Sequence, residues 1–176
     1  MNNKKEFKDV HVRPIQKIAR QKKINYFIPF VSANARVLEI GSASQWFKEA
    51  ALGVQGVHYT DIDLFPPADI VGSVLHWREL GLKENSFDVI VAFEVVEHVD
   101  CFSACHALLR PGGKLLLTTP MPHFDWVMKI LELLKLNQKR TSPHNNLIYL
   151  SKVNFSGIKK ITIMHFLAQW GVFTKK

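Results

Sequence analysis

Residues 36–47, RVLEIGSASQWF, begin with an apolar run that contains an acid and is followed by a glycine. Glu39 lies inside the run and Gly41 follows directly after it. A glycine at the end of a strand permits a tight turn and lets a ligand approach the backbone closely, because it has no Cβ. The next glycine is Gly53, so the segment fits either a nucleotide-binding loop with altered glycines or an ordinary strand, turn and helix.

Two acids at the end of the following apolar run could complete such a site. Asp61 and Asp63 are two residues apart, a spacing that places them on one face of a strand. Asp63 comes 22 residues after Gly41, close to the spacing at which a carboxylate accepts the ribose hydroxyls of a nucleotide. In a doubly wound sheet, ligands bind at the carboxyl ends of the strands where the strand order reverses, and Gly41 is expected there.

These residues belong to a series of short apolar runs separated by helical patterns. The runs are RVLEI, VHYTDID, DIVGSV, FDVIVAF and KLLLTTP. Helices are expected through SQWFKEAAL and EVVEHVDCFSACHALL, and turns at residues 65–67 and 110–113. Continuously apolar strands separated by helices predict a parallel sheet with helices on both faces. The expected fold class is therefore α/β, with a doubly wound, mostly parallel, seven-stranded sheet in a single domain over residues 1–176.

Two flanking regions depart from this alternation. Apolar residues at helical spacing, with Pro14 suited to a first turn, predict an N-terminal helical arm over residues 1–31. Residues 125–140 predict an amphipathic helix with a basic end, which is favourable to the helix dipole. The two last strands are expected in KKITIMHF and GVFTKK, paired through Gln169–Gly171.

The charges are distributed unevenly along the chain. The net charge of +8 divides into +6 over residues 1–23, −6 over residues 24–132 and +8 over residues 133–176. This asymmetry suggests an anionic partner for the two ends, although solvated lysines on a small protein would also explain it. Cys101 and Cys105 are expected to be reduced, structural thiols. Since the sequence has no apolar run long enough for a membrane span or signal peptide, the expected location is cytoplasmic.

The order of RVLEIGSASQ, YTDID, DIVGSV, NSFDVIVAFEVVEHV and LLRPGGKLLLTTP resembles that of the class I S-adenosylmethionine-dependent methyltransferases. The similarity is greatest to the small-molecule subgroup of type 11, through the EVxEHV and LRPGGxLLLTTP blocks. It covers residues 37–120, with weaker similarity through PHNNLIYLS. The resemblance implies a Rossmann-like fold, S-adenosyl-L-methionine as cofactor, and methyl transfer to a small molecule.

The resemblance also implies roles for individual residues. Glu39 matches the first-strand acid near the amino group of the cofactor, and Asp63 matches the acid that accepts the ribose hydroxyls. Ser73 and Val74 stand beside the adenine, where the family often has an aspartate in place of the serine. The other expected cofactor-binding residues lie in the first loop, on the second strand and at the end of the fourth strand: Gly41, Ser42, Ala43, Asp61, Phe93 and Glu94.

The first loop departs from the family pattern, because Ala43 and Gln45 stand where the second and third glycines are usual. A left-handed conformation at either residue would cost about 1 to 2 kcal/mol. Ser73 would lose a hydrogen bond worth about 1.5 to 3 kcal/mol. Because Ala43 can instead fit with a small shift and the Ser73 hydroxyl can recover part of its bond, these changes together would weaken binding about a hundredfold without abolishing it. We therefore expect an altered loop that still binds the cofactor, the alternative being a non-catalytic interaction protein that retains the fold.

On the acceptor side, the last two loops border the pocket in related methyltransferases. This makes His123 and His144 the candidates for a general base, whereas His98 is expected to be a structural helix residue. The helix over residues 125–140, in an acceptor-side insertion over residues 121–150, could act as a lid, pack on the sheet or rest on a membrane surface. The basic C-terminal third favours an anionic acceptor, such as a phosphorylated or carboxylated sugar, lipid or metabolite. No metal is expected.

Two other functions remain open from the sequence. The basic ends would suit a nucleic-acid methyltransferase, whose phosphate contacts would make binding strongly salt-dependent. However, the chain has neither a recognisable RNA-binding appendage nor the motifs of nucleic-acid amino or cysteine-dependent methylation. A nicotinamide dehydrogenase is the poorest alternative, since it has no reason to carry the EVVEHV and LRPGGKLLLTTP blocks.

Overall fold

The computed structural model describes residues 14–42, 45–122, 148–155, 157–164 and 167–176. Seven strands form its single sheet: β1 (Arg36–Ile40), β2 (His58–Asp63), β3 (Ile70–Val71), β4 (Phe87–Phe93), β5 (Leu109–Pro120), β6 (Gly157–Met164) and β7 (Ala168–Lys175). The described helices are α1 (Pro14–Phe27), α2 (Trp46–Leu52) and α3 (Phe102–Leu108), with short 3-10 helices at Ile28–Phe30, Val74–His76 and Leu150–Lys152. No helix among these described residues has the length and apolar character needed to cross a membrane.

The strands are arranged in the order β3-β2-β1-β4-β5-β7-β6. Strands β1 to β5 pair in parallel, whereas β7 runs antiparallel to both β5 and β6. Strand β1 pairs with β2 on one side and with β4 on the other, so the strand order reverses between β1 and β4. The predicted doubly wound, mostly parallel, seven-stranded sheet is therefore confirmed, and its switch point lies at the carboxyl ends of β1 and β4.

Each face of the sheet carries its own apolar core. On one face, α1 and α2 pack on the sheet through side chains that include the fully buried Phe27, Phe47 and Ala51. On the other face, the core includes Cys101 and Cys105, which are buried free thiols. Both faces are covered because the strands are apolar on both sides, as expected of parallel strands.

Within the predicted N-terminal arm, α1 covers Pro14–Phe27, while residues 1–13 lie outside the described residues. The end of α1 is anchored in the first core. The Phe27 ring lies 4.9 Å from that of Phe93 on β4 and 5.5 Å from that of Trp170 on β7. The hydroxyl of Tyr26 forms a hydrogen bond of 2.9 Å with the hydroxyl of Thr162 on β6. Helix α1 is thus fixed across the middle and the far end of the sheet.

The predicted helix through EVVEHVDCFSACHALL is wrong for its first half, since α3 begins only at Phe102. Glu94 has a left-handed backbone with φ of 56°, which no helix continues. The carboxylate of Asp100 accepts a hydrogen bond from the backbone N–H of Phe102 at 3.2 Å and so caps the start of α3. Residues 94–101 form turns that hold acidic side chains at the edge of the sheet.

Two other local predictions need correction. The turn expected at residues 110–113 is a bulge within β5, because Leu109 pairs with Phe87 and Lys114 pairs with Val89. The connection expected at residues 169–171 lies inside β7 instead. There Gln169 bridges neighbouring segments with its side-chain amide, which accepts from the backbone of Leu150 and donates to the carbonyls of Pro120 and Ile148.

Candidate functional site

The first part of the site is the point where β1 and β2 end side by side. Ile40 pairs with Ile62, and the backbone N–H of Gly41 donates to the carbonyl of Ile62 at 2.9 Å. Gly41 has φ of +72°, and a Cβ added there would come within 2.8 Å of a methyl carbon of Val95. The turn therefore requires glycine, and it leaves the backbone beside Asp63 open to a close approach.

Asp63 stands at the end of β2 with its side chain half-buried. One carboxylate oxygen accepts from the backbone N–H of Phe65 at 3.2 Å, and the backbone carbonyl accepts from Gly72 at 2.8 Å. The latter bond brings Ser73 and Val74 to the same edge. The hydroxyl of Ser73 accepts from the backbone N–H of Leu75 at 3.3 Å, so it caps the short helix that follows.

Glu39 on β1 is a buried acid. Its carboxyl is only 4% exposed and accepts a hydrogen bond of 3.0 Å from the hydroxyl of Tyr59 on β2. Burial raises the pKa of Glu39 to about 8, because the bond from Tyr59 offsets only part of the cost of removing a carboxylate from water. Burial, reinforced by Glu39, also raises the pKa of Tyr59. At neutral pH the site therefore holds a protonated acid beside the turn.

Asp61 is fully buried and organises the loop after β1. Its carboxylate accepts from the hydroxyl of Ser42 at 2.7 Å, from the ammonium of Lys48 on α2 at 2.6 Å and from the amide of Gln45 at 3.3 Å. Burial alone would raise the pKa of Asp61, but the bonds from Lys48 and Ser42 outweigh it and hold the pKa below its ordinary value. Asp61 is thus a buried anion whose charge is balanced within the protein.

Gln45 connects two loops that flank the switch point. It has a left-handed backbone with φ of 52° and stands directly before α2. Its amide donates to Asp61 and, at 3.1 Å, to the backbone carbonyl of Pro67 in the loop after β2. The strain expected at this altered glycine position is therefore present, at about 1 to 2 kcal/mol, and two hydrogen bonds of the new side chain offset it.

An aromatic cluster closes the apolar side of this edge. Phe93 at the end of β4 is half-buried, and Trp46 stacks on it with ring centroids 5.6 Å apart and planes 14° apart. Phe47 meets the same ring edge-on at 5.1 Å. The cluster joins α2, β4 and, through Phe27, helix α1.

Glu94 follows Phe93 and is held from three directions. Its backbone N–H donates to the carbonyl of Thr118 on β5 at 2.9 Å. One carboxylate oxygen accepts from the Thr118 hydroxyl at 2.8 Å and from the ammonium of Lys23 on α1 at 2.7 Å. Burial works to raise the pKa of Glu94, but Lys23 and Thr118 outweigh it and hold the pKa below its ordinary value. The carboxylate is nonetheless 41% exposed, so it can meet a ligand.

Glu97 lies beside Glu94 but has the opposite character. It is 1% exposed, and its carboxyl accepts from the hydroxyl of Thr119 at 3.0 Å. Burial, followed by the negative charge of Glu94, raises the pKa of Glu97 to about 8. The two carboxyls therefore form a pair in which Glu94 is ionised and Glu97 carries the proton at neutral pH.

Of the residues predicted for the site, the structure brings nine to the carboxyl edge of the sheet: Glu39, Gly41, Ser42, Asp61, Asp63, Ser73, Val74, Phe93 and Glu94. Ala43, His123, His144 and the predicted helix over residues 125–140 lie outside the described residues. His98 is exposed in the turns before α3, so it is not the helix residue that the sequence suggested.

Four further side chains belong to this edge but were missed from the sequence: Lys23, Gln45, Lys48 and Tyr59. For Tyr59 a signal existed, because it lies two residues before Asp61 and four before Asp63, a spacing that places all three on one face of β2. Lys23 gave none, since it lies 71 residues from Glu94 in the chain.

A wide groove of about 880 Å³ lies elsewhere, between α3 and residues 148–155. Its lining mixes Asp100, His106 and Lys152 with the aromatic rings of Phe102 and Phe155. The Gly41 turn, the Asp63 carboxylate and the buried Glu39 all lie at the carboxyl edge of the sheet instead. We therefore place the candidate site at that edge.

The similarity to known proteins covers the part of the chain that forms this edge of the sheet. Residues 13–152 match the family described as Methyltransferase domain. The chain is 34% identical to the ubiquinone biosynthesis O-methyltransferase of Xylella fastidiosa (strain M23), over 55% of this chain and 47% of that relative. It is 28% identical to the protein of the same name from Dechloromonas aromatica (strain RCB), over 65% of this chain and 54% of the relative. The chain thus spans about half the length of these curated relatives.

Solved structures share the fold at low sequence identity. The PH0226 protein from Pyrococcus horikoshii OT3 superposes with a TM-score of 0.70 and 13% identity, covering 94% of each chain. Phosphoethanolamine N-methyltransferase 2 from Haemonchus contortus, solved with S-adenosyl-L-methionine, superposes with a TM-score of 0.63 and 14% identity, covering 88% of this chain and 52% of that one.

Proposed function

The chain belongs to the Methyltransferase domain family, and from that membership we propose that it transfers a methyl group from S-adenosyl-L-methionine to a small acceptor molecule. The observation that carries the proposal is the paired ending of β1 and β2, where the Gly41 turn stands beside the carboxylate of Asp63.

The residues at this edge fit the cofactor. A Cβ at Gly41 would come within 2.8 Å of a methyl carbon of Val95, so only glycine fits this turn and lets the backbone approach a ligand closely. Asp63 is half-buried at the end of β2, at the spacing from Gly41 at which a carboxylate accepts ribose hydroxyls. Val74 and Ser73 would lie beside the adenine, with the serine hydroxyl engaged in its cap.

The methionyl end would lie toward β4. Phe93 would line it, and the ionised Glu94 would accept its ammonium group in a charge-assisted hydrogen bond. Glu39 would contribute a second acid near the same group, as the resemblance implies. Asp61 would act indirectly, because its carboxylate already holds Ser42, Gln45 and Lys48 in place around the loop.

The bound cofactor supplies an electrophilic methyl group on a positively charged sulfur. The chain's own contribution is to align the acceptor with that methyl group and to exclude water. Phe93, Trp46 and Phe27 make this edge apolar on the side of α1 and α2. Asp63 and Glu94 are the carboxylates at this edge that would meet a cationic cofactor. The acceptor atom gains the methyl group and loses its proton, and His123 or His144 would receive that proton if the acceptor needs a base.

For the acceptor we propose a small anionic molecule. The acid-free, basic segment over residues 133–176 supports the negative charge of the acceptor. The relatives named for O-methyl transfer in ubiquinone biosynthesis support a small molecule as acceptor. Lys135, Lys139 and Arg140 are the candidates for its recognition. Their neutralisation is expected to raise the acceptor KM steeply while the cofactor Kd stays unchanged.

Calorimetric titration with S-adenosyl-L-methionine and with its demethylated product tests the core of the proposal. Both should bind to the wild-type protein and raise its thermal midpoint. Asp63→Asn should weaken binding of both by about 10-fold to 100-fold, as expected for losing a hydrogen bond to a charged group. The matched control is Asp100→Asn, since Asp100 also bonds a backbone N–H two residues later at 3.2 Å but caps α3. A wild-type protein that binds neither ligand would contradict the proposal.

A further inference from the structure

Helix α1 brings the charged side chain of Lys23 to the edge where β4 ends, while Arg20 on the same helix lies over the Trp46 ring. Lys23 lies one helical turn before Phe27, whose ring is buried against Phe93. This anchoring carries the Lys23 ammonium to within 2.7 Å of a Glu94 carboxylate oxygen and 5.6 Å of the Phe93 ring centroid. The Lys23 side chain is 16% exposed and the Glu94 side chain is 41% exposed, so the ion pair is covered on the Lys23 side and open to a ligand on the Glu94 side.

Glu94 needs such a cation because of its other neighbour. Two titratable groups adjoin it in the described structure: Lys23 from α1 and Glu97 from its own turn, while β5 contributes the hydroxyl of Thr118. Two carboxyls in contact share a proton unless a positive charge stabilises one of them as an anion. Without Lys23, the proton of the pair would be spread over Glu94 as well.

We propose that Lys23 is a positioning residue of the cofactor site, which keeps Glu94 ionised and oriented toward the methionyl ammonium. The inference rests on the proposed function, because Glu94 is the group through which Lys23 acts. If Lys23 has this role, helix α1 must be in place for the cofactor to bind tightly, although α1 carries none of the motifs of the nucleotide site. The left-handed backbone of Glu94 fits this role, since strained conformations persist where the surroundings fix them.

The test is the pH dependence of the Kd for S-adenosyl-L-methionine, measured by titration calorimetry from pH 6 to pH 9. Lys23→Met keeps the length and apolar stem of the side chain but removes its charge. We expect the variant to bind at least tenfold more weakly than wild type at pH 6. The ratio of the two Kd values should fall as the pH rises, because the carboxyl pair then loses the proton that the variant allows Glu94 to share.

Two further variants separate the charge from packing. Lys23→Arg should bind within threefold of wild type across the range. Lys17→Met, an exposed lysine on the same helix, is the matched control and should leave the Kd unchanged. In a Glu94→Gln background, Lys23→Met should change the Kd less than twofold, and this comparison remains informative if the single variant folds poorly.

The outcomes are distinct. A wild-type protein without affinity for the cofactor would refute the proposed function and this inference with it. A wild-type protein that binds, together with a Lys23→Met variant of equal affinity, would refute the inference alone. A Kd ratio that is the same at pH 6 and pH 9 would also refute it, since a purely structural role of Lys23 would not depend on the charge of Glu94.

Discussion

Replacing Glu39 by glutamine should stabilise the protein, and by an amount that grows with pH. The pKa of Glu39 is raised by burial from 4.5 to about 8. A group that binds its proton more tightly in the folded state makes the free energy of unfolding fall as pH rises between its unfolded and folded pKa values. Each pH unit in this window is worth about 1.4 kcal/mol. At pH 7.5 the wild-type protein has therefore lost about 4 kcal/mol relative to pH 4.5, and glutamine, which does not titrate, avoids that loss.

The substitution is a mild one in other respects. A glutamine oxygen can still accept the hydrogen bond from Tyr59, which lies 3.0 Å from the Glu39 carboxyl. The two proteins should have nearly equal stability below about pH 4, where glutamic acid is protonated in both the folded and the unfolded state. Other groups that titrate, such as Glu97, are common to both proteins and cancel from the difference.

Urea unfolding at pH 5.5, 6.5 and 7.5 measures the difference in free energy directly. The advantage of Glu39→Gln should increase by about 1.4 kcal/mol at each step. Glu49→Gln, which makes the same chemical change at an exposed position on α2, should show a constant difference. An advantage of Glu39→Gln that does not change with pH would refute the account of Glu39 as a buried, protonated acid.

Two further substitutions test the loop after β1. Lys48→Met should destabilise the protein by about 3 to 5 kcal/mol in urea unfolding at pH 7, because it leaves the buried Asp61 carboxylate without its cation. Adding Asp61→Asn should recover part of this loss. A loss below about 1 kcal/mol for Lys48→Met would contradict the role of Asp61 as a buried anion. Gly41→Ala should cost about 1 to 2 kcal/mol for the left-handed backbone and more for the 2.8 Å approach to Val95. In a Val95→Ala background only the second part should disappear, so an equal loss in both backgrounds would show that the methyl groups do not collide.

The sequence predicted the sheet well because its strands are continuously apolar. RVLEI and FDVIVAF became β1 and β4 with the expected bounds, and the glycine and acid that follow β1 and end β2 lie side by side as expected. The predictions failed where single backbone conformations decide the structure. The left-handed backbone of Glu94 excludes a helix over the first half of the predicted segment, so α3 begins only at Phe102. Strand pairing on both sides of residues 110–113 makes that segment a bulge within β5.

The side-chain partners of the site were less predictable. Asp61 and Asp63 look equivalent in sequence, yet the structure commits Asp61 to Lys48, Ser42 and Gln45 and leaves Asp63 half-exposed. That difference depends on where α2 begins, which no spacing rule gives. Lys23 and Glu94 meet only because α1 packs across the end of β4, a tertiary fact without a local signature.

The anchoring of α1 also bears on how the chain folds during synthesis. Two partners of Tyr26 and Phe27, namely Thr162 and Trp170, leave the ribosome more than 130 residues after them. Since such distant contacts form slowly, the part of this helix that faces β6 and β7 stays uncovered until the β6–β7 hairpin has been released, even if Phe27 already packs on β4. A nascent chain stalled before β6 would therefore expose these aromatic rings to chaperones and proteases.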